Sequence, residues 1–195
     1  MNDGEPADLR TRNKQTTREA ISTAALRLAI EQGPQGLALV RVRDIAEAAG
    51  VSPRTYNNYF ASREEAICAL ETDRARRLGR ALRSRPAGEP LGQAIEAAVI
   101  EHYTGPEPDK AGLQLMMSEP GLEREVLKAF TAAEEPLAEA IAERTGADPE
   151  RDLYPQVMAA AIAAAIRTAA RHWLGTRTTD SFADILRPAL RHVLP

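Results

Sequence analysis

Arg54, Thr55, Asn57, Asn58 and Tyr59 crowd into six consecutive positions where only Tyr56 is suited to a core, so their side chains are left for contacts outside the segment. An arginine fork matches the O6 and N7 acceptors of guanine, and an asparagine amide matches the N6 and N7 edge of adenine. Arg54, Asn57 and Asn58 therefore have the chemistry of base readers. Bond-making chemistry has no comparable set. His102, His172 and His192 lie far apart on separate segments, and the single Cys68 allows neither an internal disulfide nor a cysteine zinc cluster. Cys68 falls in an apolar stripe beside Ile67 and Leu70, which predicts an inert buried thiol. His102 beside Tyr103 reads as a partly buried, hydrogen-bonded histidine. No His-Glu-x-x-His, glycine-rich phosphate loop, Gly-x-Ser-x-Gly or Cys-x-x-Cys occurs. The chain reads as a non-enzyme with no catalytic residue, metal site or cofactor.

The elements around these residues are punctuated as short helices. Ile45, Ala46 and Ala49 keep a helical apolar spacing, Gly50 can take the left-handed conformation that ends a helix, and Val51 can plug the corner behind it. Ser52 then offers an N-cap hydroxyl and Pro53 a first helical residue, which predicts a second helix to about Tyr59. Two helices meeting at so tight a turn form a helix-turn-helix, whose second helix enters a DNA major groove. Upstream, Thr16 and Glu19 have capping-box spacing and open a helix running to Gly33; Arg10, Arg12 and Lys14 before it form a basic arm, expected to be disordered without DNA and to reach into a minor groove on binding. Downstream, Ser62 and Glu65 open a helix to about Arg85, a rigid connector.

Charge separates along the same line. From Leu9 to Arg85 there are 15 Lys+Arg against 8 Asp+Glu, whereas from Pro86 onward there are 10 against 17, within a net charge of −3. A basic first half can replace counterions on phosphates while the acidic half stays off the DNA. With 195 residues and 44% hydrophobic content, the chain can bury a sizeable core. The apolar run Val157 to Ile166 is about half the length of a membrane span, and Met1 to Asp8 is acidic and polar, so a cytoplasmic protein is expected.

Beyond the Pro86 to Pro90 break, Leu91, Ile95, Val99 and Tyr103 recur every four residues before the loop Gly105-Pro106-Glu107-Pro108. A short apolar segment follows at Leu113 to Met117, and a long stripe from Leu122 to Gly146 carries Pro136 in its interior, where a kink is expected. Alanine-rich Leu153 to Gly175 and apolar-faced Ser181 to Val193 complete an all-α chain of about nine helices. The divisions are a basic arm over 1–15, a helix-turn-helix domain over 16–62, a connecting helix over 63–85 and a ligand-binding and dimerisation domain over 86–195. The bend at Pro136, beside flexible Met116 and Met117, predicts an elongated apolar cavity; Tyr103, Met116, Met117, Phe130 and Trp173 are the candidate ligand-binding residues.

The run Ile45, Ala46, Ala49, Gly50, Val51, Ser52, Thr55, Tyr56, Tyr59, Phe60, Ser62 and Arg63 resembles the signature of the TetR family of bacterial transcriptional repressors. It departs before Val42, where the family commonly has threonine and this chain has Arg41, which can meet a phosphate but cannot cap a helix as a hydroxyl does. The resemblance implies an N-terminal homeodomain-like helix-turn-helix domain, a homodimer whose last two helices form a four-helix bundle, a double-stranded palindromic operator and release by a small hydrophobic effector. It implies further that Thr55, Tyr59 and Arg63 meet the DNA backbone, with Arg41 a further candidate contact. The segment Leu113 to Gly146 resembles regulators that bind acyl-CoA-like ligands. A helical ligand-binding or scaffold protein that keeps the fold without specific DNA binding is the alternative.

Overall fold

The computed structural model describes residues 5–104, 109–148, 151–176 and 178–195, with side chains described from Arg12 onward except at 34–36. The loop 105–108 and the first residues of the acidic N-terminal segment lie outside it. Nine α-helices and one 3₁₀ turn make up the regular structure of the described residues: α1 (Glu5–Gly36), the turn Leu37–Leu39, α2 (Val42–Ala48), α3 (Pro53–Asn57), α4 (Arg63–Arg83), α5 (Leu91–Thr104), α6 (Lys110–Ser118), α7 (Pro120–Thr145), α8 (Leu153–Gly175) and α9 (Phe182–Arg191). The expected all-α class is correct.

The beginning of α1 departs from expectation. The helix starts at Glu5, so the described part of the basic arm is helical, and Thr16 lies inside it. The Thr16 hydroxyl donates back to the Arg12 carbonyl (3.0 Å) and Glu19 accepts from Gln15 (2.8 Å), so the capping box does not form. Gly33, at φ 66°, breaks the helix as expected. The helix ends at Gly50 and Gly146 and the helix starts at Ser52 and Ser62 match their residue types. Gly50 (φ 68°) and Gly146 (φ 69°) end α2 and α7 in the left-handed region. Ser52 accepts from the Thr55 N–H, and Ser62 from the Glu65 N–H. Glu65 reaches back to the Ala61 N–H, one residue short of a strict capping box. At Arg41 no side-chain cap forms on α2, as the missing hydroxyl predicts.

Two apolar cores divide the molecule. One joins α1, the 3₁₀ turn, α2, α3 and the first turns of α4, with Leu115 and Met116 of α6 and Leu122 of α7 inserted into it. The other packs the later part of α4 with α5, α7, α8 and α9. Helix α4 runs through both, so it connects them rigidly. Pro136 lies inside an unbroken α7, and its carbonyl rests on Gly79 of α4; a Cβ at Gly79 would stand 2.8 Å from the Pro136 carbonyl carbon, so glycine permits this approach. Helix α8 is, by length and composition, apolar enough to cross a membrane, a point the ten-residue run Val157 to Ile166 understated. Its Met158, Ile162, Ile166 and Trp173 are buried in the second core, as suits the central helix of a bundle.

Candidate DNA interface and effector cavity

Helix α3 has only five residues and is held from beneath. Tyr56 is 1% exposed, donates its hydroxyl to the Ser62 carbonyl (2.9 Å) and packs on Phe60 at 5.8 Å between ring centres; burial pushes its phenol up to about 12. Arg18 of α1 lies over the Phe60 ring (4.5 Å), donates to the Tyr59 carbonyl (3.4 Å) and pairs with Asp73 of α4 (3.2 Å). One guanidinium thus ties α1, the segment that follows α3 and the connecting helix. With the under-face fixed, α3 and its C-cap leave Arg54, Asn57 and Asn58 exposed, where side chains could enter a groove. Arg41 is exposed as well, while Thr55 and Tyr59 are half-buried at the edges.

Arg63 is placed differently from the rest of the expected set. Its guanidinium donates to the Ala38 and Val40 carbonyls (3.1 and 3.2 Å) and to Glu64 (2.8 Å), so two of these three bonds brace the entry into α2. The arginines of α4 also divide. Arg74 pairs with Glu71, and Arg83 grips Glu143 and Glu139, while exposed Arg76, Arg77 and Arg80 have no ion pair with a described residue and add to the field.

In the second core a cavity of ≈ 440 Å³ opens between α4, α5, α6, α7, α8 and α9. Leu113, Met117, Val126, Leu127, Phe130, Ile166, Ala170 and Phe182 form its apolar wall; Tyr103, Glu71 and Arg74 border it from α5 and α4, and Glu123, Arg124, Arg167 and Arg171 from α7 and α8. Three of the five candidate ligand residues, Tyr103, Met117 and Phe130, therefore meet in one wall. Met116 does not. It turns to the opposite side of α6 and is 2% exposed inside the first core, because adjacent helical positions face about 100° apart. Trp173 is also absent from the wall: its indole N–H donates to the Asp180 carbonyl (3.0 Å), its ring stacks near Phe182 (5.3 Å), and Lys110 lies over it (4.9 Å), which makes it the clasp of the α8–α9 corner. His102 is hydrogen-bonded as expected, its Nε2 lying 2.6 Å from the Arg74 carbonyl, and burial holds its pKa below the ordinary histidine value. Cys68 is buried and its thiol pushed up to about 12, again by burial.

A short helix with exposed polar residues thus sits on a sealed three-helix head, which one long helix joins to a hollow bundle. The family model for bacterial regulatory proteins of the TetR family matches residues 21–67, and that for the MftR C-terminal domain matches residues 89–195. The chain is 33% identical over 201 residues to the HTH-type transcriptional regulator TcmR of Streptomyces glaucescens, with 93% of this chain and 88% of that protein covered. This chain belongs to the TetR family. It is a DNA-binding transcriptional regulator. Solved TetR-type structures share its fold: the fatty acid degradation regulator FadR from Bacillus halodurans at a TM-score of 0.61 and 18% identity, covering 91% of this chain and 94% of that one, and Thermus thermophilus FadR in complex with lauroyl-CoA at 0.56 and 24%, covering 90% and 92%.

Within this TetR-family frame, sequence reasoning overlooked the polar half of the cavity. Arg124, Arg167 and Arg171 were detectable as cations recurring on apolar helices in an otherwise acidic half. Glu71 and Arg74 were masked by the run of charges along α4, where spacing alone does not separate a cavity-facing pair from a solvated one. Arg18 had a fainter signal, one turn ahead of the buried Ile21 and Ser22.

Proposed function

We propose that this TetR-family regulator is a homodimeric repressor that holds a palindromic operator with two copies of α3 and is released by a small hydrophobic effector bound in the cavity. The observation that carries the reading is the exposed trio Arg54, Asn57 and Asn58 on a helix whose opposite face is pinned by Tyr56, Phe60 and Arg18. In this reading Arg54, Asn57 and Asn58 contact base edges, while Thr55, Tyr59 and Arg41 contact phosphates and fix register. Arg63 acts mainly by positioning α2. Dimerisation is supported by the apolar surface at the start of α8, where Leu153 is 72% and Val157 62% exposed beside Tyr154, a patch that a second copy would cover.

Effector coupling has a short route. Glu71 and Arg74 border the cavity, and Asp73 between them pairs with Arg18, which holds the end of the reading segment. Helix α6 offers a parallel route, with Leu113 and Met117 at the cavity and Leu115 and Met116 in the first core. A ligand that favours one setting of these contacts shifts operator affinity by its differential affinity, typically about 1–3 kcal/mol. The cationic residues at the mouth and the apolar wall suit an amphiphile, of which an acyl-CoA-like ligand is one kind. Light scattering and footprinting on the DNA upstream of the gene test this reading together. The expected result is twice the 21.2 kDa chain mass and a symmetric protected site; a monomer that protects a palindrome tightly contradicts it.

A further inference from the structure

The cavity has a polar group that a plain hydrocarbon would leave unserved. Tyr103 is 4% exposed, and its hydroxyl makes no hydrogen bond with any described residue. No fully buried side-chain polar atom among the described residues lacks a partner, so this hydroxyl keeps its contact with the open space of the cavity. Glu71 borders the same space: Oε1 is held by Arg74 at 3.2 Å, and Oε2 has no hydrogen-bond partner among the described residues. Tyr103, Phe130 and Ile166 also border a void of ≈ 10 Å³ lying further between α4, α7 and α8, which places them at the inner wall. The outer side differs. Arg124 and Arg171 are exposed and form no ion pair with a described residue, Arg167 lies 5.6 Å from the Phe130 ring centre, and Glu123 is the acidic residue beside them.

We propose that the effector is an amphiphile with an uncharged oxygen function at its buried end, bonded by the Tyr103 hydroxyl and the Glu71 carboxylate, and an anionic group at its outer end, met by Arg124, Arg167 and Arg171. The proposal rests on reading this cavity as the effector site. A methyl-ended chain in the same place would desolvate the tyrosine hydroxyl without replacing its partner, which weakens binding. A second anion at the inner end would face Glu71 and be repelled. A hydroxyl both donates to a carboxylate and accepts from a phenol, so it satisfies both groups at once.

Calorimetry on the full chain with three matched probes tests this: 12-hydroxydodecanoate, dodecanoate and 1,12-dodecanediol. The hydroxy acid is expected to bind about tenfold tighter than dodecanoate and tighter than the diol. Tyr103→Phe is expected to remove the preference between the acids, weakening the hydroxy acid and tightening dodecanoate, because the hydroxyl that a methyl end leaves unserved is gone. Equal binding of the two acids to the wild type overturns the buried-oxygen assignment and leaves the cavity as an effector site, whereas binding of neither acid overturns the effector-site reading as well. A diol as tight as the hydroxy acid overturns the anionic end. If Tyr103→Phe does not fold, Glu71→Gln replaces it, and a preference that survives there unchanged counts against the proposal.

Discussion

One aromatic pair in the head of this regulator and one in its body are held in opposite ways. In the head, Tyr56 and Phe60 are sealed at 1% and 2% exposure, and each has a specific partner, Tyr56 the Ser62 carbonyl and Phe60 the Arg18 guanidinium. In the body, Phe130 and Tyr103 border open space, and the Tyr103 hydroxyl has no hydrogen-bond partner among the described residues. A reading surface must already be in place when DNA arrives, because ordering it on binding subtracts from affinity. A switch needs the reverse, a region whose packing is completed by something added. The contrast separates a head packed closed from a body that keeps open space.

The sharpest way to break this comparison is to truncate one aromatic in each region. Phe60→Ala leaves a cavity in a closed core and removes the ring beneath Arg18, so thermal or denaturant unfolding is expected to register a loss of about 3–5 kcal/mol. Phe130→Ala enlarges a space that is already open, and a loss of about half that size is expected. Equal losses would mean that the body is as fully packed as the head.

A smaller effect sharpens the account of the reading head. Arg41 leaves α2 without a side-chain cap, so Arg41→Ser should supply the missing acceptor and raise stability by about 1 kcal/mol in the same assay. The substitution also deletes a cation facing outward, and operator affinity should fall at low salt even as stability rises. Stability and affinity moving in the same direction would show that Arg41 plays no part in DNA contact.

Residues that act through local rules were legible in the sequence. Gly50, Ser52, Pro53 and Ser62 do what their types and spacing predict, because a cap or a left-handed turn is decided within four residues. Thr16 shows the limit of that logic: the same capping pattern has no effect inside a helix that continues upstream, where the hydroxyl turns to the Arg12 carbonyl. The cavity was legible only as a neighbourhood. Met116 and Met117 are chemically alike, and which one faces the cavity depends on how α6 is rotated between α1 and α8, a tertiary fact. Trp173 went astray for a related reason, since its polar edge is satisfied by Asp180 in a loop whose course its own helix does not determine. Arg63, expected at the DNA backbone, is drawn inward by carbonyls twenty-five and twenty-three residues earlier in the chain.

Operator binding measured by fluorescence anisotropy, for wild type and Arg54→Ala across about 50–200 mM salt, tests the account most directly. Wild type should bind DNA from upstream of the gene with a steep salt dependence and a clear preference over a scrambled duplex. Arg54→Ala should lose about 1–3 kcal/mol on that site and relax the preference at one base pair, with its affinity for scrambled DNA changed far less. If wild type shows no preference at any salt, or Arg54→Ala leaves both affinity and preference untouched, α3 is not the reader and the account fails.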